Sequence, residues 1–341
     1  MTQPPVPPAA GPPWPNNPAP MPPTRPPRPK RTPWIILGAA LVVVIALVVG
    51  IVLWKSGSSG NAGDSSNTAG GGGDRTVGLL REEDPVCEDW LKYADELAAE
   101  TAQWAEIDET IPAAKWSKEE REIYSTASKA FLAAADRFEY ILPQAAHTAL
   151  QELIAQTIVY WRAYVDALPN YETQDGKYAG VASNFGAAVS FMCTAAPIVA
   201  LRVADVDVSP EAKASEPAEL KPIMTVEDAA CREFLALVDR QNAVLSGWEA
   251  TDPNVPAAKW TLEQRQLNMA AADVMAGDAD EARRIADSAQ NLVLADLLRT
   301  YAAYVDAYVG VVPTYEADDN QIWRVATYLG GGIRSACGAQ L

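Results

Sequence analysis

The side chains able to do chemistry in this chain are few. Its 341 residues hold four cysteines and one histidine, His147. A di-iron bundle, which needs paired Glu-x-x-His helices, lacks its ligands. A Ser-His-Asp or Cys-His arrangement would have to take His147 as its base, and that residue reads instead as a surface helix-end residue. No phosphate-binding motif of the Walker or dinucleotide type occurs, and the glycine run at 70–73 lies in a flexible stretch before Asp74. The sequence therefore predicts no enzyme, no cofactor and no metal site.

Binding is the chemistry that remains. Lys115–Trp116 and Lys259–Trp260, each closing a PAAKW motif, are candidates for paired exposed recognition patches. Tyr164 with Asp166, and Tyr304 with Asp306, sit in two copies of Tyr-Val-Asp-Ala; the pairs Tyr171–Glu172 and Tyr315–Glu316 also repeat. Carboxylates beside tyrosines can line a cleft, although on amphipathic helices they more often face water or an arginine. An inter-helix cavity would be lined by Trp161, Tyr164, Tyr301 and Tyr304. PAAKW itself reads most simply as a helix-helix connection. The proline halts the chain, the alanines allow close approach, and the Trp packs just ahead of an N-cap.

A duplication positions these residues. At an offset of 144, Cys87 falls on Cys231, Trp104 on Trp248, Arg121 on Arg265, Asp136 on Asp280, Gly186 on Gly330 and Cys193 on Cys337. The stretch 164–167 matches 304–307 at an offset of 140, which predicts a four-residue deletion before it and a compensating insertion after it. Four cysteines allow three pairings. The repeat symmetry favours Cys87–Cys193 and Cys231–Cys337, each joining the first and last helix of its own unit.

Apolar residues at 3–4 spacing predict the helices of the first unit. One runs from Val86 to Ile107, a second from Ile123 to Ile141, a third from Leu150 to Leu168, and a shorter fourth from Tyr178 to Met192. Ser117 with Glu120, and Thr261 with Gln264, are capping boxes at helix starts. The stretch 200–208 has the pattern of a short extended piece. The fold class is all-α: a single transmembrane helix followed by two tandem repeats of a small disulfide-closed antiparallel helical bundle.

Composition sets the boundaries. Residues 1–33 are rich in Pro, lack Asp and Glu, and end in Arg25, Arg28, Lys30 and Arg31, the pattern of a disordered tail with a Pro-x-x-Pro-x-Arg motif for a cytoplasmic partner. Residues 34–54 are 21 apolar residues between Trp34 and Trp54, long enough to span a bilayer with an indole at each interface. The cations before the span place the N-terminus in the cytoplasm and the remainder outside. Residues 55–75 form a Gly/Ser-rich tether, 76–194 the first bundle, 195–225 a linker and 226–341 the second bundle. Residues 75–341 carry 22 of the 27 Lys and Arg but 42 of the 44 Asp and Glu, a formal charge of −20 that excludes nucleic acid as a partner.

The Pro-rich basic tail, single span, Gly/Ser tether and Ala-rich, Lys-poor remainder, in a chain with 10 Lys against 17 Arg, resemble the proline-rich single-pass membrane proteins of mycobacteria and related actinobacteria. The resemblance implies a plasma-membrane location with the C-terminal domains in the cell-envelope space. The function expected is a non-enzymatic helical module that binds an envelope protein, wall or lipid partner. The alternative is a sensor or small-ligand-binding ectodomain with a cavity between helices.

Overall fold

A computed structural model describes residues 76–203, 212–213, 220–224 and 228–339. The tail at 1–33, the span at 34–54 with Trp34 and Trp54, the tether at 55–75 and 15 of the 31 residues of the expected linker lie outside the described residues. Among the described residues are eight α-helices: α1 Cys87–Glu100, α2 Lys118–Ile141, α3 Thr148–Ala167, α4 Gly176–Arg202, α5 Ala229–Glu249, α6 Leu262–Ser288, α7 Leu292–Val311 and α8 Asn320–Gly338. A two-residue antiparallel pair joins β1, Thr76–Val77, to β2, Ala212–Lys213.

Local signals start the helices where the sequence placed them. Ser117 and Thr261 accept from the backbone of Glu120 and Gln264, whose side chains return the bond, so both capping boxes form. The disulfides are Cys87–Cys193 and Cys231–Cys337, each spanning 106 positions. They tie the start of α1 to α4 and the start of α5 to α8.

Three expectations change. The helix expected from Val86 to Ile107 stops at Glu100, and a 3-10 turn at Trp104–Glu106 follows. The fourth helix is long, continuing to Arg202 past the expected linker start at 195 with Pro197 inside it. Of the stretch read as extended, 200–202 is helical and 204–208 lies outside the described residues. α4 is also the one helix among the described residues long and apolar enough to cross a membrane. It is mostly buried against α3, α1 and α8, which is how a core helix satisfies its apolar faces without lipid.

The two sets of four helices share one core. Their seam is α4 against α8, the most extensive helix contact in the protein. The Gly330–Gly332 run makes the approach close: a Cβ at Gly332 would overlap the Phe185 ring, and one at Gly331 would meet Asn184 Oδ1. Phe191 stacks on Tyr328 across the seam at 5.1 Å, and Arg202 grips the buried Asp319 carboxylate at 2.9 and 3.0 Å.

The arms ahead of each set cross over. Gly78, at φ 136° where a Cβ is unfavourable, turns the chain from β1 into Leu79–Leu80. The Leu80 amide then donates to the Tyr304 hydroxyl of α7 at 3.0 Å. In exchange, Gln156 of α3 donates to the Lys221 carbonyl and accepts from the Ile223 amide, both at 2.8 Å.

Candidate functional site

The PAAKW motifs are knots that hold the helix ends. Each forms a 3-10 turn, at Ala113–Lys115 and Ala257–Lys259. The Ala113 amide donates to the Tyr171 carbonyl at 2.9 Å, and Ala257 does the same to Tyr315 at 2.8 Å. Arg121 and Arg265 reach back to the carbonyls of Ala113 and Ala257. Tyr171 and Tyr315 donate their hydroxyls to the carbonyls of Glu109 and Pro253. Glu172 and Glu316 belong to small capping boxes that launch α4 and α8.

This geometry corrects the recognition-patch expectation for the tryptophans. Trp116 is 9 % exposed, stacks on Tyr124 at 3.8 Å and donates Nε1–H to the Ile111 carbonyl. Trp260 is half-buried, stacks on Tyr315 and donates to the Val255 carbonyl. Lys115 and Lys259 are exposed, but beside packed rings they form no paired aromatic surface.

The expected tyrosine-carboxylate clefts are not formed either. Tyr164 is buried and accepts from Trp104 Nε1 at 3.0 Å; Tyr304 is buried under Leu80; Tyr301 bonds Gln241. Asp166 is exposed, and Asp306 is paired with Arg283. The two Tyr-Val-Asp-Ala copies do not occupy equivalent places. α3 and α7 begin and end 144 residues apart, with no deletion. Tyr308, rather than Tyr304, takes the place of Tyr164: each lies edge-on, 6.1 Å from the knot tyrosine of its own set. The offset of 140 is a match displaced by about one helical turn.

The structure opens a different cavity. Between α1 and α4, capped by the break after Glu100, lies a cleft of about 430 Å³ with mostly apolar walls. Its aromatic walls are ordered by stacking: Trp90 on Phe138 at 4.1 Å, Phe131 on Trp161 at 3.9 Å, and Trp104 edge-on to Phe131. Of the four expected cavity residues, Trp161 alone lines it. Ala94, Leu97 and Ala98 of α1 face it half-buried, and Ala179, Gly180 and Ala182 of α4 form the opposite wall.

Most polar groups in the cleft bond locally. Thr101 and Thr157 donate to carbonyls four residues back, Asn184 donates to Gly180, and Ser190 accepts from Trp90 Nε1. Tyr124 differs. It is 2 % exposed, its hydroxyl lies beside that of Tyr164 without a hydrogen bond of ordinary length, and burial followed by Glu109 pushes the phenol up to about 12 against the pull of Tyr164. Asp108 and Glu109 supply the charge in the lining, and burial followed by Asp108 raises the Glu109 carboxyl. Among the described residues no group of His, Cys, Asp and Glu is placed to hold a metal ion.

Sequence reading missed a second device. Asp84 Oδ2 accepts from the amides of Ala146 and His147 at the start of α3, and Asp228 Oδ2 does the same for Gln290 and Asn291 at α7. Both are buried and fix the α2–α3 and α6–α7 corners. Their signal was present as Asp-x-x-Cys at both disulfides.

The described residues thus form an all-helical domain with two disulfides and an apolar cleft. The chain belongs to the family of mycobacterial ESX-1 associated protein, which it matches over residues 73–341. It is 28 % identical over 348 residues to an uncharacterized protein of Mycolicibacterium smegmatis (strain MKD8), covering 96 % of this chain and 90 % of that protein. No solved structure matches.

Proposed function

We propose that this protein is a non-enzymatic, membrane-anchored module that works with the ESX-1 secretion system from the envelope side of the plasma membrane. The observation that carries the proposal is the pair of disulfides within the family-matched region. Such bonds persist in an oxidising space, which agrees with a span at 34–54, the N-terminus inside and the helical domain outside. In this reading a tandem duplication produced two closed bundles that fuse through α4 and α8, presenting a rigid body to an envelope protein, wall or lipid partner. The Pro-rich tail is left to a cytoplasmic partner.

Gene deletion with immunoblotting of ESX-1 substrates in culture filtrate tests it. Secretion should fall, and should return with the full chain but not with one lacking residues 34–54. Unchanged secretion after deletion overturns the proposal.

The cleft between α1 and α4 favours a second reading, a ligand-binding ectodomain. The 430 Å³ volume lies in the range of small-molecule sites, and stacking orders its aromatic walls.

A further inference from the structure

The cleft carries information about its occupant, and the inference rests on the ligand-binding reading. Its existence is written into the difference between the two sets of helices. At an offset of 144, Ala179 corresponds to Trp323, Gly180 to Arg324, and Ala94 to Val238. In the second set Trp323 fills the space, edge-on to Trp248 at 5.3 Å, and the cavity there shrinks to about 160 Å³. Small residues in the first set leave that volume open. An empty apolar volume forfeits dispersion contacts, which an apolar guest restores.

Two further features select the guest. Tyr124 lines the cleft, and its buried hydroxyl, beside that of Tyr164, makes no hydrogen bond of ordinary length, a donor that a ligand oxygen can satisfy. Its counterpart Asn268 is engaged, accepting from Trp248 Nε1 at 2.9 Å. The charged residues in the lining are Asp108 and Glu109, with no Lys, Arg or His among the described residues there. A carboxylate or phosphate head would meet like charge.

We infer that the α1–α4 cleft binds a non-anionic small molecule with an apolar body and a hydrogen-bonding oxygen, held by the walls at Ala94 and Ala179 and by the Tyr124 hydroxyl.

The test titrates the full chain in lipid nanodiscs with ω-bromodecanol and with ω-bromodecanoate. Bromine quenches nearby indoles, and Trp90, Trp104 and Trp161 line the cleft. The alcohol should quench saturably. Ala179→Leu and, on the half-buried opposite wall, Ala94→Phe should each weaken it by about tenfold or more. Tyr124→Phe should weaken it by roughly two- to tenfold, the reach of one neutral hydrogen bond. The carboxylate should bind about tenfold more weakly at neutral pH. Circular dichroism melts identify any variant that fails to fold, and the two filling variants stand on different helices. Unsaturable quenching, or quenching that neither folded filling variant changes, overturns the site and the ligand-binding reading together. Carboxylate binding as tight as the alcohol's, yet lost in Ala179→Leu, overturns the non-anionic assignment and leaves the ligand-binding reading standing.

Discussion

Positions 179 and 323 occupy the same place in the two halves, and they differ by an indole. Around Trp323 the second half closes: α5 runs unbroken from Ala229 to Glu249 and buries Gln241, Leu245 and Trp248 on its inner face. Around Ala179 the first half stays open: α1 ends after 14 residues, and Leu97 and Trp104 are half-buried beside the cleft. The corners, knots and disulfides are the same in both. The two halves therefore share their fixing points and differ at one wall, which leaves about 430 Å³ open in the first half and about 160 Å³ in the second.

The comparison breaks first at the disulfides. Both span 106 positions, so the loop-entropy contribution, about 4.7 kcal/mol as an upper figure, is common to them. Any difference between Cys87→Ser/Cys193→Ser and Cys231→Ser/Cys337→Ser reports the packing that remains. The first should lose about 4 kcal/mol in urea unfolding and expose α1 to hydrogen exchange. The second should lose roughly half as much, because α5 has a continuous buried face. Equal losses would mean that α1 is as well seated as α5.

Trp323→Ala comes next. Removing a half-buried indole from the Trp248–Tyr308 cluster should cost about 2 kcal/mol by thermal melting. It should also confer on the second half a binding response to ω-bromodecanol that the parent chain lacks there. A variant as stable as the parent would show that the closed wall does not depend on this ring.

A smaller effect is expected at Asp278, which replaces the Ala134 of the first half. It is 5 % exposed, its Oδ2 has no partner, and burial raises its carboxyl above the ordinary 3.8 against the pull of Gln241 and Arg240. A raised folded pKa means that stability is greatest with the group protonated and is lost as pH climbs through that pKa. Asp278→Asn should remove this loss and raise the melting temperature at neutral pH by roughly 2–4 °C. The gap from the parent should close as the pH falls towards 3.8. A gap independent of pH would exclude the ionised carboxylate as its source.

What could be read from the sequence was local or repeated. Ser117–Glu120 and Thr261–Gln264 announce their capping boxes within four residues, and equal cysteine spacing announces the pairing. The Tyr-Val-Asp-Ala match misled for a physical reason. A shift of four residues is close to one helical turn and keeps the same face, so an identity match looks sound although Tyr164 belongs with Tyr308. The cleft was hidden because it is made by small residues. Ala179 draws attention only when laid beside Trp323. Asp84 and Asp228 were hidden because their partners, at 146–147 and 290–291, are distant backbone amides that no side-chain pattern marks.

Identity matching is also blind to a relation that the structure makes plain. In the first half Glu139 pairs with Arg162; at the same two places in the second, Arg283 pairs with Asp306. Glu96 with Arg137 likewise becomes Arg240 with Glu281. Charge has changed sides twice while the contact stayed, so the contact rather than its polarity belongs to the scaffold. Glu139→Arg should then lose about 1 kcal/mol by setting two guanidinium groups against each other at a partly exposed site. Adding Arg162→Asp should recover most of it, since the new Arg would have Asp136 three residues back, as Arg283 has Asp280. A double-mutant cycle in urea measures the coupling. Recovery makes the two halves interchangeable at this contact. A double variant no better than the single would show that the first half has settled on one polarity, and its divergence from the second would then extend beyond the cleft to the outer helices.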